Sequence, residues 1–155
     1  MRTYARAAAV AVAAISMAAI AVVGPGARPA AAHVGTDARL TEALMAISIN
    51  GVRAQHGLPP LHLDAALSDS AREWSGDMAA RHTLAHTRAL ASTVTGSWTA
   101  IAENVAYGPH PPTIQDSLLA SPVHRANILG NYTRTGIGVV VDGAGVVWVT
   151  QRFVR

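Results

Sequence analysis

His82 and His86 stand four residues apart, a spacing that on a helix puts both imidazoles on one face, where they could chelate a metal without a third partner. No glutamate adjoins His82, so the zinc-protease pattern is absent, and His82 is expected to be exposed where its helix frays. Ser121 and His124 form the local serine–histidine pair, but Pro122 between them suits the first turn of a helix and makes Ser121 its N-cap. Gly96-Ser97-Trp98 lacks the second glycine and the strand-to-helix setting of a nucleophile elbow, so serine catalysis is not expected. The chain has no cysteine, which removes thiol nucleophiles and thiolate metal sites. His56, His62 and His110 lie near Gly or Pro and are expected at the surface.

The elements that must position these groups follow from periodicity. Thr36 is expected to cap a first helix after a frayed tail at 33–35, with Leu40, Leu44 and Ile47 recurring at helical spacing and Gly57 closing it before Pro59-Pro60. Asp64 reads as the N-cap of a second helix, in which Leu67, Ala71, Trp74 and Met78 make an apolar stripe. Residues 87–101 read as loop. A strand is expected over 101–107, carrying Glu103-Asn104, then a helix capped by Thr113 and a short one over Val123 to Leu129, with Pro122 fitting its first turn and Gly130 closing it. Strands over 136–141 and 146–153, joined by Asp142-Gly143-Ala144-Gly145, form a hairpin. Helices first and an antiparallel pair last indicate an α+β domain rather than a doubly wound parallel sheet.

Arg2 and Arg6, the uncharged run from Ala7 to Val23, the Gly24-Pro25-Gly26 break and the Ala30-Ala31-Ala32 site have the layout of a secretory signal peptide. Residues 1–32 are therefore expected to be removed on export, leaving one soluble domain over 33–155; a retained anchor is the rival reading of that run. All twelve basic residues are arginine and three fall in the leader, so the exported part carries 12 − 3 = 9 arginines against nine acids and is formally neutral. Nucleic acid is excluded as a partner on that balance.

Ile49-Asn50, Arg53, Gly57, Pro60-Leu61 and Asp64, then Trp74 and Met78-Ala79, His86-Thr87, Glu103-Asn104-Val105-Ala106, Ser121-Pro122 with His124-Arg125 and Asn127-Ile128-Leu129, Gly136-Ile137-Gly138 and Trp148 to Phe153 occur in order along the chain. Together they resemble the CAP superfamily of cysteine-rich secretory, antigen 5 and pathogenesis-related class 1 proteins, in its bacterial secreted form. The resemblance implies a three-layer α-β-α sandwich with a small, mainly antiparallel sheet. It also implies a cleft lined by two histidines and two glutamates. His86, Glu103 and His124 match three of that tetrad; the second glutamate would fall near Ser121 and has no match.

Two imidazoles and one carboxylate suffice for a Zn²⁺ site completed by water, with Glu103 as a ligand or as the orienter of a bound water. The same three groups also suit a buried hydrogen-bonded network with no metal. If they converge, an imidazole of the set is expected to titrate away from its free value. Asn104, Arg125 and Ser121 are expected to support the cleft, with Arg125 reaching Asp116 or Glu103. The function expected is non-catalytic binding of a small apolar or lipid-like ligand, or of an envelope or host partner, by a secreted monomer. The alternative is a metal-dependent hydrolase of envelope or peptide substrates with Glu103 as base.

Overall fold

The computed structural model describes residues 31–155, with side chains from Ala38 onward; residues 1–30 of the expected leader lie outside the described residues. Four helices and four strands follow in the order α1 (Ala31–Gln55), β1 (His62–Leu63), α2 (Ala65–Arg81), β2 (Ile101–Gly108), α3 (Pro111–Ala120), α4 (Pro122–Ile128), β3 (Arg134–Val141) and β4 (Val147–Val154), with a 3₁₀ turn at Leu90–Thr93. The strand order is β1-β3-β4-β2; β1 pairs parallel with β3, and the other two pairings are antiparallel.

α2 covers one face of the sheet, and α1, α3 and α4 cover the other. The expected α+β, three-layer α-β-α architecture is therefore what the chain adopts. β4 lies between β3 and β2 and is buried along its whole length, as a strand covered on both faces must be. Ile137, Val139, Val147, Val149 and Phe153 face Met45, Ile49, Ile114, Leu118 and Ile128 in the larger core. On the opposite face Trp148 and Val105 pack with Met78 and Ala79 of α2.

α2 sits very close to β3. A Cβ at Gly136 would strike Leu67 and Ser68, and one at Gly138 would strike Ala71 and Arg72. Ser75 fills the gap beside them, its hydroxyl hydrogen-bonded to the Gly138 carbonyl at 3.0 Å and to Thr150 Oγ1 at 2.8 Å. Asp64 caps α2 through Leu67 N–H and holds Arg134 at 2.8 Å, tying the helix start to the start of β3.

The start and the inward face of α1 differ from expectation. α1 begins at Ala31, so the chain is helical through 33–35 and Thr36 is not its cap; alanine at 31 and 32 favours helix and nothing there stops it. Leu40, Leu44 and Ile47, the periodic residues of the sequence, are 59%, 56% and 66% exposed. The buried face is instead Ala38, Glu42, Met45, Ala46, Ile49 and Arg53. Both charged members of that face have partners. Glu42 takes a bidentate pair from Arg72 at 2.8 and 2.7 Å and also accepts the Val139 N–H, while Arg53 donates to the carbonyls of Pro59, Ile128 and Gly130. α3 also begins earlier than Thr113, at Pro111, because proline suits a first helical turn.

Both long helices end in the same way. Leu58 N–H returns to Arg53 O and Gly57 N–H to Ala54 O, with Gly57 at φ 67°, as the sequence led one to expect. At the end of α2 the matching left-handed position is held by His82, at φ 46° and ψ 41°. Its imidazole is exposed, as expected, and lies 3.9 Å from Asp142.

Candidate functional site

Glu103 and Arg152 are direct cross-strand partners in the β2–β4 register, and both side chains point to the α2 face. Neither meets solvent: the side chains are 2% and 1% exposed. Two opposite charges in that position must satisfy each other and their neighbours. Arg152 donates to Glu103 Oε2 at 3.3 Å, to Ser70 Oγ at 2.6 Å and to Thr87 Oγ1 at 3.0 Å. Glu103 Oε2 also accepts from Thr87 Oγ1 at 2.7 Å, and Oε1 accepts the Thr87 N–H at 2.9 Å and faces His86 Nδ1 at 3.1 Å. The carboxylate thereby pins the loop after α2 to the sheet, with Arg152 beneath it.

His86 is consequently oriented by its Nδ1, which leaves Nε2 free; its side chain is 63% exposed. His124 comes from α4. Burial, aided by the nearby charge of His86, holds its imidazole below the ordinary histidine range. The structure thus brings His86 onto Glu103 and His124 within electrostatic reach of His86.

Asn104, next along β2, points to the opposite face and belongs to a buried amide chain. Asn127 donates to Asn104 Oδ1 at 2.8 Å and to the Glu103 carbonyl at 3.3 Å. Asn104 donates to Gln151 Oε1 and to the His124 carbonyl, each at 3.2 Å, and Gln151 donates to Gln115 Oε1 at 2.8 Å. Asn104 and Asn127 therefore place the His124 backbone against β2. The chain ends on Gln115, whose buried Nε2 has no hydrogen-bond partner among the described residues.

Arg125 is not part of the cluster. Its guanidinium reaches His56 Nε2 at 2.9 Å rather than Asp116 or Glu103, and His56 Nδ1 bonds the Val52 carbonyl at 2.9 Å. A residue next to His124 on a helix points about 100° away from it, toward the end of α1. Ser121 sits between α3 and α4 in the N-cap position, but its side chain makes no capping bond.

Zinc held by His86, His124 and Glu103 together does not fit this arrangement. Both Glu103 oxygens are committed to donors, one of them a guanidinium, and among the described residues no three His, Cys, Asp or Glu side chains form a metal-holding group. Arg152 and Thr87 are the partners that sequence reasoning did not single out for the site. The available signal was a lone charged residue, arginine, inside the strand Val147–Val154, since a charge in a strand covered on both faces requires a buried counter-charge.

Two concavities flank these elements. A cleft of about 840 Å³ opens between α2 and the segment 83–93, with His86 and Arg152 in its lining. A groove of about 290 Å³ runs between α1 and α3, lined by Leu44, Met45, Pro111, Pro112 and Gln115 among others. No described helix is long and apolar enough to cross a membrane.

Residues 48–153 match the cysteine-rich secretory protein family, CAP. The YkwD protein of Bacillus subtilis (strain 168) is 33% identical over 114 residues, covering 68% of this chain and 43% of that protein. An extracellular SCP-domain protein from Bacillus anthracis str. Ames superposes with a TM-score of 0.70 at 24% identity, over 84% of this chain and 45% of that one. An outer surface protein from Borrelia burgdorferi gives a TM-score of 0.70 at 17% identity, over 76% of this chain and 93% of that one. These two likenesses show a shared fold. The chain spans less than half the length of the two Bacillus proteins.

Proposed function

The chain belongs to the cysteine-rich secretory protein (CAP) family, and from that premise we infer that it is an exported, non-catalytic binding domain that holds a small apolar ligand of the cell envelope or host in the groove between α1 and α3. The observation that carries this reading is the groove itself, about 290 Å³ between apolar walls with Gln115 as a polar member of its lining. Leu44 and Met45 on one side and Pro111 and Pro112 on the other supply the apolar walls, and Leu40 and Ile47 extend the apolar surface along α1. The volume suits a small ligand or one end of a longer chain.

This reading moves the ligand away from the histidine–glutamate cluster. Glu103 accepts from three donors and faces a fourth group, so it lacks the free lone pair that a general base needs. It braces the loop instead, and the binding we infer needs no metal. Export through residues 1–32 is part of the same reading.

Binding of a fluorescent long-chain fatty acid to the purified exported protein tests it. Leu44 is exposed, so Leu44→Asp should fold normally and weaken binding by about tenfold or more, the effect of placing a charge in an apolar contact. Unchanged affinity in Leu44→Asp, or no binding by folded protein, refutes the groove as the site.

A further inference from the structure

The cleft between α2 and the segment 83–93 has a different chemistry from the groove. At about 840 Å³ it has room for several linked rings. Trp74 forms part of its wall, with one side of the residue packed toward Met78, Val105 and Trp148. The indole N–H is tied to the Ala85 carbonyl at 2.8 Å, and the Arg81 guanidinium lies 5.0 Å from the ring centroid. Trp74 is thus held fixed between the core and the Arg81 guanidinium over its ring.

The rim carries both signs. Glu73 and Asp77 from α2 stand with Arg81 and Arg88, two acids and two bases around one opening. Glu73 and Arg88 are exposed and make no ion pair or side-chain hydrogen bond among the described residues, and Asp77 and Arg81 are only loosely paired at 3.9 Å. Elsewhere Arg53, Arg72, Arg134 and Arg152 all have close partners. Glu73 and Arg88 therefore leave hydrogen-bonding capacity at the rim of this cleft.

Those charges discriminate between ligand classes. An anion meets Glu73 and Asp77, a cation meets Arg81 and Arg88, and an acyl chain would desolvate all four. A hydroxyl both donates and accepts, so a neutral, hydroxyl-rich ligand can answer carboxylate and guanidinium alike. We propose that this cleft is a second binding site and that it takes a neutral glycan chain. The site shares no residue with the α1–α3 groove, so it goes beyond the apolar-ligand reading and stands or falls separately from it.

Calorimetry of the full exported protein with a β-1,4-linked N-acetylglucosamine tetramer tests the proposal. Saturable binding is expected, with Glu73→Ala and Arg88→Ala each weakening it about fivefold or more, since each removes hydrogen bonds to a charged partner. Val123→Ser, on the exposed surface of α4, should leave it unchanged. Absence of saturable binding by folded protein into the millimolar range overturns the proposal, as does binding indifferent to both Glu73→Ala and Arg88→Ala. Either failure leaves the fatty-acid experiment on Leu44 untouched.

Discussion

Truncating Glu103 to alanine leaves the Arg152 guanidinium buried without its counter-charge. We expect a loss of about 3–5 kcal/mol in stability, measured by denaturant unfolding, because an uncompensated interior charge costs far more than the pair contributes. Adding Arg152→Leu to that variant should recover a large part of the loss, whereas two independent contributions would add. His124 gives a pH signature. Its folded-state value lies below the ordinary imidazole range, so the unfolded chain binds the proton more readily. Stability from this group is present above about pH 6.5 and falls as the pH drops through that value. His124→Gln should flatten the decline between about pH 7.5 and 5.5 in thermal unfolding. The histidines and Glu103 were visible in the sequence through the family blocks, but what occupies the carboxylate was not. Arg152 is far from Glu103 in the chain and meets it only through strand register, and Arg125 was assigned to a carboxylate when its neighbour in space is His56.

Among the elements, α2 and the hairpin were legible and the face of α1 was not. Asp64, Gly57 and Pro122 announce their caps and turns through local chemistry, which needs no knowledge of the rest of the chain. α1 misleads because its inward face carries Glu42 and Arg53, each satisfied by distant groups, while its leucines face out. Periodicity of apolar residues finds the core side only when the core side is the apolar one. The α2–β3 approach offers a direct test. Gly138→Ala should cost about 2–3 kcal/mol, since its methyl group meets helix backbone that cannot yield without moving α2. The end of α2 offers the opposite sign. His82 holds a left-handed conformation that an L side chain adopts at a cost of roughly 1–2 kcal/mol, so His82→Gly should be neutral or stabilising by up to about 1 kcal/mol despite glycine's greater freedom when unfolded.

For the whole molecule, the fold supplies a sandwich with unlike concavities on its two sides, and among the described residues it is held without a disulfide. Charged pairs take much of the linking role: Glu42–Arg72 joins α1 to α2, Arg134–Asp64 joins β3 to the start of α2, and buried Glu103–Arg152 joins β2 to β4 while Glu103 also holds Thr87 of the loop. The intact mass of protein recovered from culture medium should correspond to a chain beginning at His33; a cell-bound product retaining residues 1–32 would favour the anchor instead. The claim on which the functional reading turns is that Glu103 is engaged in bracing and does no chemistry. The most direct measurement is turnover of peptidoglycan and of a peptide library by the purified exported protein, followed by mass spectrometry beside the His124→Ala variant. The expected result is no product above background from either protein. Product formed by the parent protein and lost in His124→Ala would contradict it.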